Sequence, residues 1–225
     1  NGTAITSDDL PKTTTGTDVV YTSTSDTATS DSFTFKVNDG SSDSDAATVT
    51  INITAVNDAP TATAQTVDAT EDEAKTITLA GTDADGDTIT YIVASLPSEG
   101  TLTDNGTAIT SDDLPKTTSG ADVVYTATSE TATSDSFTFK VNDGTVDSDA
   151  ATVTINITLV NEKPVATAQT VEATEQTAKE ITLAGTDAEG ATLTYSIVDQ
   201  PSNGTVSVDG NTATYTSTTD TATRE

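Results

Sequence analysis

The chain contains no cysteine, histidine, methionine or tryptophan. Without cysteine it cannot form disulfides, so a secreted module of this composition needs another kind of crosslink. Its many carboxylates have no histidine or cysteine beside them, and no glycine-rich phosphate loop accompanies them. Acid–base catalysis by paired carboxylates is therefore disfavoured, and we expect a protein that is not an enzyme.

Positive charge is also scarce. The 225 residues include 8 Lys and Arg against 36 Asp and Glu, which gives a formal net charge of -28. This balance excludes a basic surface for nucleic acid and argues against binding to an anionic membrane. No apolar run is long enough to cross a bilayer, so we expect no direct membrane insertion. The acidity does suit a protein that binds divalent cations, without which self-repulsion should loosen the fold.

The chain does contain many short runs in which Val, Ile, Phe and Tyr alternate with Thr and Ser. High charge with 33% hydrophobic residues is compatible with disorder. Regular alternation of β-branched and aromatic residues instead favours half-buried β-strands. We therefore predict a folded, all-β protein.

A long internal repeat organises the sequence. Residues 1–40 recur as residues 105–144, displaced by 104 positions, with differences only at Thr15/Ser119, Thr17/Ala121, Ser23/Ala127 and Asp26/Glu130. A period of about a hundred residues is near the usual size of a β-sandwich and longer than a solenoid repeat. Each repeat should therefore have its own core.

The repeat predicts three segments. Residues 1–57 are the C-terminal part of a first module, residues 58–161 are a complete module, and residues 162–225 are the N-terminal part of a third. We call these the first, central and third segments. Partial modules could complete one another between chains, as in donor-strand assembly. Because both carry the middle portion, we favour a window cut from a longer array.

Seven strands with turn signals between them are predicted in the central segment. Phe137, Phe139 and Val141 share one face of the sixth strand, and this alternation predicts a core between two sheets. We expect tandem seven-stranded antiparallel sandwiches of Ig-like or cadherin-like type, stacked end to end. The predicted strands cover residues 63–68, 74–80, 88–94, 100–103, 122–127, 136–142 and 151–160.

The loop after the second predicted strand suggests a metal site. Asp83, Asp85 and Asp87 occupy alternate positions around Gly86. Calcium takes several oxygen ligands at short range, and this spacing supplies them. A solvated acidic turn is the alternative, since Asp and Gly also favour turns. We favour calcium over magnesium, which holds its waters more tightly.

An odd number of strands places the two ends of a module at opposite ends of the sandwich. The entering linker, with Asn57 and Asp58, and the loop of Asp143 should then meet the Asp83 loop. At the opposite end, Glu71 should lie near the loop of Glu130 and Asp135 and near the exit linker that carries Glu162. Glu130, Asp135 and Asp149 are equally consistent with calcium binding and with a solvated surface.

The third segment departs from this pattern. Its loop keeps Asp187 and Glu189 but has Ala191 where the earlier loop has Asp87, and its linker has Lys163. We expect its junction to hold fewer calcium ions or to hold them more weakly.

These motifs together resemble the cadherin-like, immunoglobulin-fold repeats of large bacterial surface adhesins. The resemblance implies a secreted, calcium-dependent spacer of an adhesin or matrix protein at the cell surface, with Asp58, Asp83 and Asp85 matching the family's calcium ligands. The expected partners are neighbouring modules, while glycans would be bound by other regions. The alternatives are a carbohydrate-binding sandwich and a self-assembling extracellular filament. The resembling stretches are Val56-Asn57-Asp58-Ala59-Pro60, Gly81–Asp87, Gly100-Thr101-Leu102 and residues 135–144.

Overall fold

The structure, a computed structural model, describes residues 4–7, 10, 12–14 and 16–218, and strands dominate it. Within this described part of the chain, no helix combines the length and the apolar character needed to cross a bilayer. The chain forms two compact units, one of residues 1–59 and 83–87, the other of residues 60–82 and 88–225. The module boundaries that the repeat suggests stay a prediction.

The first unit contains the antiparallel strands β1 (Ser30–Phe35) and β2 (Ala47–Asn52). Their register runs from Ser30 opposite Asn52 to Phe35 opposite Ala47. Alternation along β1 places Phe33 and Phe35 on the same face. These two side chains are 37% and 47% exposed, so this face of the hairpin is not covered in the described structure.

The second unit contains a β-sandwich built from the central segment. One sheet has the order β10-β7-β12-β13-β4, the facing sheet has the order β5-β11-β8-β9, and β3 pairs with β6. This arrangement confirms the predicted tandem Ig-like, all-β class. The strands are β3 (Thr61–Thr63), β4 (Gln65–Thr70), β5 (Lys75–Thr78), β6 (Ala80–Thr82), β7 (Thr90–Val93), β8 (Gly100–Asp104), β9 (Thr107–Ala108), β10 (Lys116–Thr117), β11 (Asp122–Ala127), β12 (Ser134–Asn142) and β13 (Ala151–Thr158).

The prediction that all strands pair antiparallel is wrong in one place. Strand β4 lies parallel to β13, with Gln65 opposite Val153 and Thr70 opposite Thr158. The first and last of an odd number of alternating strands run in the same direction. Where they become neighbours in one sheet, they must therefore pair parallel.

The core lies between the two sheets and consists of the residues that alternation assigns to the inside. Tyr125, Phe137 and Phe139 are fully buried there, together with Leu102 and Ile155. Ile89, Tyr91 and Leu159, which lie at apolar alternating positions of the chain, are partly buried against this core. Along β13 every other residue is buried, which shows that one face of the strand packs inward and the other faces solvent.

Residues 105–121 form a structured insertion that sequence patterns did not predict. It contains β9, a short 3-10 helix at Ser111–Asp113 and β10, which pairs with β7. The buried carboxylate of Asp104 accepts hydrogen bonds from the backbone N–H and the hydroxyl of Ser119, at 2.9 and 2.5 Å. These bonds fasten the two ends of the insertion to each other.

The third segment forms only part of the same sandwich. Its sheet β15-β18-β17 repeats the arrangement β5-β11-β8, and its pair β14-β16 repeats β3-β6. Residues 169–174 and 194–197, which correspond to β4 and β7, form no strands. The strands are β14 (Val165–Ala166), β15 (Lys179–Thr182), β16 (Gly185–Thr186), β17 (Gly204–Asp209) and β18 (Thr212–Ser217).

Candidate metal centres

The loop of residues 83–87 is held in a tight turn by its own first residue. Asp83 Oδ1 accepts a hydrogen bond from the backbone N–H of Asp87 at 3.0 Å. Gly86 has a φ of +83°, a backbone conformation that favours glycine. The turn folds the alternate positions Asp83, Asp85 and Asp87 back towards one another.

The three carboxylates of this loop converge. Each offers one oxygen, and the three oxygens lie within 4.8 Å of one another. Asp83 Oδ2 and Asp85 Oδ1 are shielded from solvent and have no hydrogen-bond partner. Shielded carboxylate oxygens without a donor are costly, whereas a hard cation would satisfy them. We call Asp58, Asp83, Asp85 and Asp87 the first centre.

The linker joins this centre through its backbone. The N–H of Asp58 donates to Asp85 Oδ2 at 2.7 Å, and Asn57 Nδ2 donates to the carbonyl oxygen of Asp58 at 3.2 Å. One oxygen of Asp85 is thus occupied by the linker, and the shielded oxygen is left for a ligand. The structure therefore brings together Asn57, Asp58 and the acidic loop within one compact unit.

The same arrangement recurs 104 residues later in the second unit. The N–H of Glu162 donates to Glu189 Oε1 at 2.8 Å, and Asp187 Oδ1 accepts from the N–H of Ala191 at 2.8 Å. Glu189 Oε2 is shielded and has no hydrogen-bond partner, as with Asp85 Oδ1. The contact between the linker backbone and the loop carboxylate is therefore preserved with the longer glutamate at position 189 in place of Asp85.

Two further glutamates contribute to the acidity at this second junction. Glu71 is 2% exposed, and its Oε2 accepts a hydrogen bond from the N–H of Val160 at 2.8 Å. Glu71 Oε1 and Glu130 Oε2 are shielded from solvent and meet no N–H or O–H donor. Within the described part of the chain, only Asp83, Asp85 and Asp87 bring three carboxylate oxygens within 4.8 Å of one another. We call Glu71, Glu130, Glu162, Asp187 and Glu189, which do not converge in this way, the second centre.

The protonation of Glu130 reflects this crowding. Sharing a proton with Glu71 raises the pKa of Glu130 to about 7, and desolvation and the negative charges of Glu71, Glu162 and Asp72 act in the same direction. Without a cation, a shared proton is what relieves the repulsion between two such carboxylates. A divalent cation can take the place of that proton.

Asp143 lies in the turn after β12. Its Oδ1 accepts hydrogen bonds from the N–H groups of Thr145 and Val146, at 2.6 and 2.7 Å. These bonds give the carboxylate a role in shaping the turn. A role for Asp143 as a calcium ligand stays a prediction.

Asp135 has a structural role that the sequence did not distinguish from metal binding. Its two carboxylate oxygens accept hydrogen bonds from the N–H groups of Ser98, Glu99 and Ser136 and from the hydroxyl of Tyr125, at 2.8–3.0 Å. This buried carboxylate is satisfied by protein donors. The predicted strand order places Glu130 at the same end of the sandwich as Glu71, and the structure brings their two carboxyl groups into contact.

Comparison with known proteins identifies the family of the chain. Residues 57–156 and 161–224 each match the profile of the bacterial Ig domain. The chain belongs to the bacterial Ig domain family. A search of curated proteins found no relative of this chain.

Comparison with solved structures gives matches of low sequence identity. A structure of extracellular cadherin domains 1–5 of protocadherin gamma B2 is 15% identical, with 76% of this chain and 35% of that chain covered and a TM-score of 0.45. A structure of extracellular cadherin domains 1–4 of protocadherin gamma B7 is 14% identical, with 84% of this chain and 49% of that chain covered and a TM-score of 0.44. An endo-fucoidan hydrolase of glycoside hydrolase family 107 is 20% identical, with 84% of this chain and 29% of that chain covered and a TM-score of 0.36.

The chain spans half or less of the length of each of these proteins. Their low identities and TM-scores carry no argument about function. Neither the family match nor the two centres provides positive support for an enzyme activity of this chain.

Proposed function

We propose that this chain is a spacer of tandem extracellular modules, stiffened by calcium ions that bind at the linkers. The observation that carries the proposal is a repeated contact, in which a linker N–H donates to a loop carboxylate whose second oxygen is shielded and unpaired. The contact occurs at Asp58–Asp85 and again at Glu162–Glu189. In both places it joins the start of a repeat to an acidic loop.

Calcium fits the chemistry of both centres. Each offers several carboxylate oxygens, and neither offers nitrogen or sulfur ligands, because the chain has no histidine or cysteine. Calcium accepts six to eight oxygens in variable geometry, whereas magnesium requires a regular octahedron and keeps its waters. Asp83, Asp85, Asp87 and Asp58 would hold an ion at the first centre. Glu71, Glu130, Glu162, Asp187 and Glu189 would hold one at the second.

Charge neutralisation links ion binding to stiffness. The clustered carboxylates repel one another, and with a net charge of -28 the chain has few cations to offset them. A bound calcium ion converts this repulsion into attraction between the linker residue and the loop. The linker then loses freedom of rotation, and each module becomes fixed to the next. In the loop of the second centre, Ala191 stands at the position that Asp87 has in the first. The two centres should therefore differ in calcium affinity.

Such a spacer would project an adhesive region from a bacterial cell surface or matrix. In this proposal the modules begin near residues 58 and 162, and their direct partners are neighbouring modules of the same chain. No observation favours the carbohydrate-binding alternative for the central sandwich. There, Tyr125, Phe137 and Phe139 are fully buried and Tyr91 packs against the core, which leaves these rings unavailable for stacking on sugars.

Calorimetric titration of the chain with calcium tests this proposal. We expect saturable binding that the double substitution Asp85→Asn with Glu189→Gln weakens at least about tenfold, since each change removes one ligand charge. The matched control is Asp112→Asn, which changes an exposed acidic residue outside both centres. Equal binding by the double variant and the control would reject the assignment of these centres.

A further inference from the structure

Two Asn-Gly pairs in the described part of the chain have opposite surroundings. Asn105-Gly106 follows β8, and Asn203-Gly204 stands at the start of β17, each with a threonine after it. The backbone nitrogen after an asparagine can attack that asparagine's side-chain amide, and glycine hinders this attack least because it has no Cβ atom. Local sequence favours the reaction at both places, so the surrounding structure decides where it occurs. A third pair, Asn1-Gly2, lies outside the described residues.

The pair Asn105-Gly106 lies in an open turn. Both residues are exposed and form the two-residue connection between β8 and β9, with φ of +48° and +79°. Nothing lies within 4 Å of a Cβ atom added to Gly106. Strand β9 has only two residues and lies at the edge of its sheet. Such a short edge strand separates from its neighbour at low cost, which lets the turn change its backbone conformation.

The pair Asn203-Gly204 is instead held from two sides. A Cβ atom added to Gly204 would lie 2.5 Å from both the Thr216 carbonyl oxygen and the Tyr215 Cε2 atom. The Asn203 carbonyl oxygen accepts hydrogen bonds from the Thr218 N–H and the Tyr215 hydroxyl, at 3.0 and 3.1 Å. This carbonyl belongs to the same planar peptide group as the Gly204 nitrogen. The nitrogen therefore cannot turn towards the Asn203 side chain unless these bonds break.

We propose that Asn105 is a site of spontaneous deamidation, whereas Asn203 is protected by the fold. The Gly106 nitrogen gives its proton to solvent and bonds to Asn105 Cγ. The bond from Cγ to the side-chain nitrogen breaks, and that nitrogen takes a proton from solvent and leaves as ammonia. Water then opens the succinimide ring, at Cγ to give aspartate or at the main-chain carbonyl to give isoaspartate. Only water is consumed, and the reaction does not depend on calcium or on the proposed spacer function.

Either product changes the turn. Aspartate adds a carboxylate next to Asp104, whose own buried carboxylate fastens Ser119 at the far end of the insertion. Isoaspartate adds a backbone carbon within a two-residue turn, because the chain then passes through Cγ. The register of β9 against β8 is then lost, and with it the 2.9 Å hydrogen bond from the Ile109 N–H to the Leu102 carbonyl oxygen. The modification should therefore loosen the insertion and leave the pairing of the longer strands intact.

Peptide mapping by mass spectrometry, after incubation of the chain at mildly alkaline pH, tests the proposal. Trypsin cuts after lysine and arginine, which places Asn105 in the peptide of residues 76–116 and Asn203 in that of residues 180–224. The same incubation in denaturant gives the rate at each position without the fold. We expect folding to slow deamidation at least about tenfold at Asn203 and less than about threefold at Asn105. Asn203 thus serves as the internal control.

The variant Asn105→Gly tests the consequence for stability. Glycine fits the left-handed turn and removes the reactive amide. After the same incubation, the wild-type chain should melt at a lower temperature than the fresh chain, and fragment spectra should place isoaspartate at position 105. Asn105→Gly should keep the melting temperature that it has when fresh.

Two results would overturn the proposal. One is equal protection of Asn105 and Asn203 by the fold, or faster reaction at Asn203 in the folded chain. The other is a fall in the melting temperature of incubated Asn105→Gly as large as that of the wild-type chain, because the loss of stability would then arise elsewhere.

Discussion

The N–H of Asp58 donates a 2.7 Å hydrogen bond to the Oδ2 atom of Asp85, across 27 residues of sequence. The bond fixes the linker to the acidic loop before any ion is considered, and it orients the carboxylate so that its other oxygen is shielded and unpaired. Glu162 and Glu189 reproduce the relationship at 2.8 Å. The Asp85 and Glu189 carboxylates are thus already oriented by the linker, which would lower the entropic cost of binding a cation there.

Removing one ligand charge from each centre separately should reveal two classes of calcium sites. Asp85→Asn is expected to weaken binding at the first centre, and Glu189→Gln at the second, each by at least about tenfold. Both variants keep an oxygen that can accept the linker N–H. Calorimetry should show each substitution eliminating a different part of the binding isotherm. Loss of the same part in both variants would contradict two independent centres.

Stability without calcium should depend on the protonation of Glu130. Its pKa is raised from 4.5 in the unfolded chain to about 7 in the folded protein, so its contribution to stability is full below 4.5 and is lost as the pH rises through about 7. In chelator, the melting temperature should therefore fall between about pH 5 and about pH 8. Glu130→Gln should flatten this part of the profile.

Calcium should reverse this pH dependence at the second centre. Carboxylates bind calcium in their deprotonated form, so the affinity should rise as the pH approaches and passes the pKa of Glu130. Calorimetry in buffers of different ionisation enthalpy would detect the released proton. A calcium affinity independent of pH over this interval, in wild type and Glu130→Gln alike, would argue against Glu130 as a ligand.

Gly100 should tolerate no side chain. A Cβ atom at this position would lie 2.5 Å from both the Thr126 carbonyl oxygen and the Tyr125 Cε2 atom, closer than real Cβ contacts. Gly100→Ala should lower the free energy of unfolding by about 1–3 kcal/mol, measured by chemical denaturation. Gly120→Ala is the control, because nothing lies within 4 Å of its added Cβ. Similar losses in both variants would contradict the close packing of Gly100 on Tyr125.

The buried bond between Tyr125 and Asp135 should stabilise the sandwich. Tyr125→Phe keeps the ring but removes the hydroxyl that donates to Asp135 at 3.0 Å. A hydrogen bond to a charged group contributes about 1.5–3 kcal/mol, and we expect a loss of that order in denaturant unfolding. Burial, followed by the hydrogen bond to Asp135 and its negative charge, raises the pKa of Tyr125, so its hydroxyl should stay protonated in alkali while the protein is folded. Ionisation of Tyr125 in the folded state would contradict this.

Much of the central fold could be predicted from alternation. The inward positions of β12 and β13 follow from period-two spacing, because a residue's face in a strand depends only on its position. The parallel pairing of β4 with β13 could not be predicted in this way, since alternation is the same for either direction. The insertion at residues 105–121 was missed because its short strands lack a long alternating pattern.

Pairing partners, rather than local sequence, decide where strands form in the third segment. Residues 169–174 have almost the same sequence as β4, but in the described structure they form no strand and pair with no other strand. The candidate centres show the same limit. The loop of Asp83, Asp85 and Asp87 could be found from spacing alone. Strand order places Glu71 and Glu130 at the same end of the sandwich, but the contact between their carboxyl groups depends on tertiary structure and could not be found from the sequence.

The central claim is that calcium binds at the linkers and stiffens the chain. A calcium titration followed by both thermal unfolding and small-angle scattering, at a protein concentration where the chain is monomeric, tests it most directly. The account predicts a higher melting temperature together with a longer, stiffer particle, and the loss of both effects in the Asp85→Asn and Glu189→Gln double variant. No change in either quantity at saturating calcium would contradict the claim and identify the acidic loops as ordinary solvated turns.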